Sequence, residues 1–228
     1  MATQVKTIIL TIVRHGATDA NKQGIAHGST DTPLNNLGLR QAKAAGQALK
    51  DMTFHQAYSS DLQRAHKTCQ IILEENQKSA ITSANIIQDK LLQERDHGNF
   101  EGMKWIDFKP LMDKNFEFKS DCGFNGESTT EFYNRVQEFL KKVTKESVLF
   151  DENLPNILIV AHGGSIHQLL PAMFAEIKTE VPENIDLRNG LKKNTAYLIM
   201  KMEVSINDFA IASVECEKAC NAAHLENL

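Results

Sequence analysis

The chain has 228 residues, 42% of them hydrophobic and 24% charged, with a formal net charge of −4 at neutral pH. A chain of this length buries enough surface on folding to need neither a disulfide nor a metal to hold its core. The acidic balance offers no basic face to nucleic acid or to an anionic membrane, and no run approaches the roughly 20 apolar residues of a bilayer span. The opening MATQVKTIILTIVRHG has an apolar run too short for a signal peptide and no cleavage-site pattern, so a cytoplasmic location is expected. Cys69, Cys122, Cys216 and Cys220 show no C-x-x-C spacing and read as free thiols of a reducing compartment.

Taken in chain order, residues 7–13 (TIILTIV) form a β-branched run that reads as a buried strand. Residues 34–50 carry apolar or small side chains at 34, 37, 42, 45 and 49, which predicts a helix. A second strand is predicted over 54–59 and a helix over 61–75, with Ser59 or Ser60 as N-cap. Ile86 and Ile87 suggest a brief strand, and 95–127 reads as an irregular, lid-like insertion. Ser128 and Glu131 have capping-box spacing ahead of an apolar stripe at Phe132, Val136, Phe139, Leu140 and Val143, the mark of a long amphipathic helix. NILIVA at 156–161 is the clearest buried strand, followed by a helix over 165–177. Strands over 195–202 and 209–214, joined through 205–208, would add an antiparallel edge. The alternation predicts one α/β domain over 1–228 around a mostly parallel central sheet.

Three polar segments sit at predicted strand ends: Arg14-His15-Gly16, the run from Ser59 to Arg64, and His162-Gly163-Gly164-Ser165. In an open α/β sheet the carboxyl ends of parallel strands form one rim where ligands bind. Arg14, His15, Arg64 and His162 are therefore expected in one pocket. Guanidinium forks match phosphate oxygens, and helix starts after 59 and 164 would add backbone N–H groups. A neutral imidazole can carry a phosphoryl group, with arginines and a second imidazole stabilising charge in flight. The leaving alkoxide needs an acid, for which Glu94 in LLQERDHG is the candidate. Zinc on His15, His162 and Glu94 or His97 is disfavoured, because no H-x-x-x-H or H-E-x-x-H spacing exists and two arginines would repel a cation. His27, His55, His66, His167 and His224 read as ordinary polar or packing residues.

These residues resemble the histidine phosphatase superfamily, also called the phosphoglycerate mutase-like family. Its Arg-His-Gly signature stands here as Arg14-His15-Gly16 with Asn21 after it. Then follow Thr32-Pro33-Leu34, Gly38, Gln41-Ala42, Ser59-Ser60-Asp61-Leu62-x-Arg64-Ala65-x-x-Thr68, and Leu92-x-Glu94-x-x-x-Gly98 with Phe100-Glu101-Gly102. Gly126-Glu127-Ser128, Val160-Ala161-His162-Gly163-Gly164 and Asn194-Thr195 complete an ordered series from about residue 8 to residue 202. The resemblance implies a three-layer α/β/α sandwich and a phosphatase working without metal or organic cofactor. It makes His15 the phosphorylated nucleophile, Glu94 the proton donor, and Arg14, Arg64 and His162 the phosphoryl-binding groups. Asn21, the Gly28 backbone and Gly163 would lie beside them. The segments 57–62, 92–95 with Glu101-Gly102, and 220–225 resemble the TIGAR-type fructose-2,6-bisphosphatase branch. The expected substrate is a small phosphorylated metabolite, fructose-2,6-bisphosphate or a related glycolytic bisphosphate. A broad-specificity phosphomonoesterase is the alternative. A mutase is less favoured, since residues 102–126 hold Lys104, Lys109, Lys114 and Lys119 and no arginine for a substrate carboxylate. Lacking heptads or a conspicuous apolar stripe, the chain is expected to be a monomer.

Overall fold

A computed structural model describes residues 4–112, 122–179, 182, 185, 192–226 and 228. Its strands are β1 (Val5–Arg14), β2 (Gln56–Ser59), β3 (Ile86–Gln88), β4 (Asn156–Ala161), β5 (Tyr197–Ser205) and β6 (Ile211–Asn221). They form one sheet in the order β3-β2-β4-β1-β5-β6. The pairs β3/β2, β2/β4 and β4/β1 are parallel, while β5 runs antiparallel to β1 and β6 antiparallel to β5. All six residues of β4 are buried, as its unbroken NILIVA run requires of a strand covered on both faces.

The helices are α1 (Asp19–Gln23), α2 (Asn36–Ala48), α3 (Gln63–Glu75), α4 (Trp105–Phe108), α5 (Thr129–Val148) and α6 (Gly163–Glu176). Period-two alternation sorts the sheet's side chains between two faces. Ile8, Leu10 and Ile12 of β1 with Ile157 and Ile159 of β4 pack under α5 and α6, among Phe132, Val136, Phe139, Leu140 and Leu170. Val13, Leu158 and Val160 face the other way, against Ala45, Ala65, Cys69 and Ile72 of α2 and α3. The result is a three-layer α/β/α sandwich. α5 begins at the expected capping box: Ser128 Oγ accepts from Glu131 N at 3.1 Å, and the Glu131 carboxylate accepts from Ser128 N at 2.9 Å.

Some boundaries differ from those the periodicity predicts. Neither Ser59 nor Ser60 caps α3, which starts only at Gln63. Leu62 is held extended with its N–H on Ser60 Oγ, and the Gln63 N–H is taken by Asp31 Oδ1 at 2.7 Å, from a loop remote in sequence. α6 starts two residues earlier than expected, at Gly163. β6 extends to Asn221 because it follows β5 past register shifts that no local pattern marks. Within 95–127, the described residues hold α4 and two single 3-10 turns anchored to the loop after α1. Ala26 N donates to Met103 O at 2.8 Å, Gly102 N to Ala26 O at 2.8 Å, and Ala26, Phe100 and Phe108 form a small core of their own. Lys114 and Lys119 lie outside the described residues.

Phe139 is fully buried and meets Tyr58 edge-on with ring centroids 5.6 Å apart. Phe139→Ala is expected to lower unfolding stability by about 3–5 kcal/mol in urea titrations, and Ser128→Ala by about 1 kcal/mol.

Candidate active site

Strand register assembles the site. Arg14 of β1 stands beside Ala161 of β4, and Ser59 of β2 beside Val160. His15 N continues the ladder to Ala161 O at 2.9 Å, and Ser60 N to Val160 O at 3.0 Å. Adjacent parallel strands therefore release His15, the Ser60–Arg64 turn and His162 at one level. The His15 and His162 ring centroids lie 5.0 Å apart.

His15 is held in one tautomer. Its Nδ1 lies 2.7 Å from Gly16 O, and a carbonyl can only accept, so the neutral ring carries its proton on Nδ1 and leaves the Nε2 lone pair free to attack. Burial, then the charges of Arg64 and Arg14, push its pKa well below the ordinary histidine value and keep it neutral near pH 7. The loop carrying it is fastened from both sides. Gly16 N donates to Thr68 Oγ1 at 3.0 Å, Ala17 N to Gln41 Oε1 at 2.9 Å, and Asn35 N to Ala17 O at 3.0 Å. A Cβ on Gly38 would collide with Ala17 O, and one on Gly16 would meet Gly38 O at 2.6 Å, so both glycines are needed for this backbone approach.

Arg64, His162 and Glu94 converge as expected. Arg64 is fully buried; Nη1 and Nη2 donate to Thr30 O and Gly28 O at 2.8 and 2.7 Å, and Nε has no partner. Burial lowers its pKa to about 10, still charged at neutral pH, with Glu94 opposing the shift. Arg14 is also lowered, chiefly by burial and against Glu94, and its Nη1 reaches Lys192 O at 2.8 Å. Neither ring nitrogen of the buried His162 has a hydrogen-bond partner. Glu94 Oε2 accepts from Gly164 N at 2.9 Å, and a Cβ on Gly164 would strike the same carboxylate.

One expectation needs narrowing. Of the amides at the starts of α3 and α6, those of Leu62, Gln63 and Gly164 are used within the protein, by Ser60, Asp31 and Glu94. Gly28 serves the site by supporting Arg64, its carbonyl accepting Nη2, on a backbone of φ +36° that a Cβ would jam against Glu101. Gly163 lies beside Arg14: a Cβ built on it would stand 3.6 Å from Arg14 Nε.

Three residues escaped the sequence reading as members of the site. His27, read as an ordinary polar residue, lies with its ring 6.0 Å from that of His15. Its Nε2 accepts from Asn21 Nδ2 at 3.2 Å, so its Nδ1 donates to Thr32 Oγ1 at 2.9 Å. Burial, with Arg64 and Arg14 nearby, lowers its pKa to about 4. Asn194 Nδ2 donates to His15 O and to Asn21 Oδ1, at 3.0 and 3.2 Å. Glu101 receives the N–H groups of Ser29, Thr30 and His97 and thereby shapes the 28–30 loop under Arg64. Burial would raise its pKa, but hydrogen bonds from Thr30, Ser29 and His97 outweigh that and hold it below the ordinary carboxylate value. Asn194 and Glu101 stand in the ordered motif series; His27 carried no local signal. His97 packs instead against Trp105 and Phe108, with centroids 5.9 and 4.8 Å away.

A groove of about 610 Å³ is lined by Ala17, Asp19, Asn21, Lys22, Gln41 and Asn194 among others; of these, Asn21 hydrogen-bonds to His27 and Asn194 to His15 O. Among the described residues, no group of three or more His, Cys, Asp or Glu side chains has metal-binding geometry.

The family model for the histidine phosphatase superfamily, branch 1, matches residues 10–203, spanning every residue of the cluster. This chain belongs to that superfamily. Among individual relatives, an uncharacterized phosphatase PhoE of Bacillus subtilis is 36% identical over 70% of this chain and 74% of its own length. The probable fructose-2,6-bisphosphatase TIGAR A of Danio rerio is 28% identical over 91% of this chain and 93% of its own. Phosphoglycerate mutases that depend on 2,3-bisphosphoglycerate also match. In structure, phosphoglycerate mutase from Bacillus anthracis superposes with a TM-score of 0.74 at 24% identity, covering 97% of this chain and 96% of the other, which places the two in one fold. Part of the histidine phosphatase motif series thus acts as scaffolding: Gly38, Gln41 and Thr68 fasten the His15 loop, and Glu101 with Gly28 supports Arg64.

His15, His27 and His162 all have folded-state pKa values below the unfolded value near 6.5. Between those values the unfolded chain binds more protons, so stability is full above about pH 6.5 and falls as pH drops below it. Urea midpoints are expected to be lower at pH 5.5 than at pH 7.5.

Proposed function

We propose that this histidine phosphatase hydrolyses phosphate monoesters through a phosphohistidine at His15, without a metal. One observation carries the reading. His15, locked with Nε2 as its nucleophilic nitrogen, stands in a buried pocket beside His162, whose two ring nitrogens lack partners, and Arg64, whose Nε lacks one. Buried polar groups are ordinarily satisfied, so a cluster of unsatisfied donors around a nucleophile suits a phosphoryl group. Two charged guanidiniums make the same pocket hostile to a cation.

The two half-reactions follow. Nε2 attacks phosphorus, the P–N bond forms as the ester P–O bond breaks, and the Glu94 carboxyl gives its proton to the departing alkoxide. Water then attacks, Glu94 takes one of its protons, and P–N cleavage yields inorganic phosphate and the free imidazole. Arg14, Arg64 and His162 are placed to stabilise the equatorial oxygens in both steps.

The expected substrate is a sugar or glycolytic bisphosphate such as fructose-2,6-bisphosphate. Supporting this are the probable fructose-2,6-bisphosphatase TIGAR A and the fructose-2,6-bisphosphatase TIGAR B of Danio rerio among the similar proteins, and the segments 57–62 and 92–95 that resemble that branch. A second reading is a broad-specificity phosphomonoesterase. It is supported by the similarity to the uncharacterized phosphatase PhoE of Bacillus subtilis, whose name specifies no substrate. Comparing kcat/KM for fructose-2,6-bisphosphate with that for sugar monophosphates and phosphoglycerates separates the two.

Incubation with ³²P-labelled substrate and rapid quenching is expected to label His15 with an alkali-stable, acid-labile phosphate, and full turnover is expected in excess chelator. His15→Asn should abolish both label and turnover; turnover surviving it would sink the proposal. Glu94→Gln is expected to lower kcat by roughly 10²–10⁴-fold for poor leaving groups. Gly164→Ala, which drives a methyl into the Glu94 carboxylate, is expected to act in the same direction while leaving the fold intact by circular dichroism.

A further inference from the structure

We infer that His224 is a positioning residue for the reaction at His15, acting through Thr195. The inference rests on the functional reading above. Thr195 is fully buried just ahead of β5, and its φ is +59°. A β-branched side chain in the left-handed region is strained, and such a conformation persists only where its surroundings impose it. At this position the strain has a use. The Thr195 N–H points at two carbonyls of the nucleophile segment, Arg14 O at 3.1 Å and His15 O at 3.3 Å, while Asn194 Nδ2 reaches His15 O at 3.0 Å. The 194–195 turn therefore clamps the Arg14–His15 carbonyls, in addition to the hold of Thr68 and Gln41 on the Gly16 and Ala17 amides.

What holds Thr195 in that conformation comes from the far end of the described chain. His224 lies in the turn Ala223–Leu225, and its Nε2 is 2.9 Å from Thr195 Oγ1. His224 Nδ1 is buried without a partner. An unsatisfied buried N–H costs more than an unsatisfied lone pair, so the proton sits on Nε2 and is donated to Thr195 Oγ1. Burial lowers the pKa of His224 and keeps the ring neutral for this role. The ring lies 5.8 Å from that of Tyr197, tilted by 31°, and the turn rests on α2, the helix that also carries Gly38 against the His15 loop. No hydrogen bond joins His224 to Arg64, His162 or Glu94; its hydrogen bond towards the nucleophile segment is the one to Thr195, and a Thr195→Gly background separates that route from the packing on Tyr197 and α2.

The test is a cycle of His224→Ala, Thr195→Gly and the double variant, with His224→Gln as the conservative replacement, assayed on p-nitrophenyl phosphate. Glycine at 195 adopts φ +59° without strain and lacks the hydroxyl that His224 holds. His224→Ala is expected to lower kcat about tenfold with KM changed less than twofold, because nucleophile alignment is lost and the phosphoryl-binding groups are not. His224→Gln should restore most of the loss by reaching Oγ1 with its amide. In the Thr195→Gly background, removing His224 should cost less than twofold. Equal losses in both backgrounds, or a rise in KM at constant kcat, overturn the inference. Long-range ¹H–¹⁵N spectra of the imidazoles give a readout independent of turnover: His224→Ala should shift the His15 ring resonances while those of His66 stay in place. Unmoved His15 resonances overturn the positioning role, whereas absence of turnover in the wild type overturns only the functional reading.

Discussion

The site depends above all on the parallel register of β1, β2 and β4. A parallel ladder is evenly spaced, so strands aligned at Arg14–Ala161 and Ser59–Val160 end at the same height and release their loops into the same space. His15 N and Ser60 N extend the ladder one residue beyond the strands, which carries the alignment into the loops themselves. A slip of one residue would turn the six buried side chains of β4 to the wrong faces and carry His162 away from His15. The apolar run that makes β4 a two-sided core strand and the geometry that pairs two imidazoles are consequently the same constraint.

Assembling cationic and titratable groups in a buried pocket has an electrostatic cost, visible in the lowered pKa values of His15, His27, His162, Arg14 and Arg64, with burial the largest cause in each. Carboxylates at the margins offset part of it: Glu94 opposes the shift on both arginines, and Asp31 and Glu101 oppose it on Arg64. The same carboxylates are structural. Asp31 holds the start of α3, Glu101 shapes the loop whose carbonyls bind Arg64, and Glu94 sits on the first turn of α6. The pocket is thus supported by the groups that balance its charge.

Much of this was legible from residues alone. The β-branched run before Arg14, the NILIVA strand and the capping box at Ser128 follow from local periodicity and cap chemistry, and each stands where that chemistry puts it. Arg14, His15, Arg64 and His162 could be gathered on paper because strand-end residues of a parallel sheet share a rim. His27 could not, since a histidine in a polar loop has no pattern of its own, and its tautomer depends on Asn21 and Thr32 together. The amides of Gln63 and Gly164 are taken by Asp31 and Glu94, side chains from other loops, a competition that no local sequence window contains.

The sequence by itself determined which chemistry is available: one histidine ahead of glycine at a strand end, arginines and a second histidine at neighbouring ends, and a carboxyl in reserve. Those are properties of residue type and short-range period, carried by covalent neighbours and by the pleat of a strand. Only the tertiary structure decided which His15 nitrogen is free, where the amides of α3 and α6 are used, and that Thr195 is held in a strained conformation by a histidine 29 residues further along the chain. Each of those outcomes depends on hydrogen-bond partners far apart in sequence, and a hydrogen bond is decided by distances of tenths of an ångström that only the packed chain specifies.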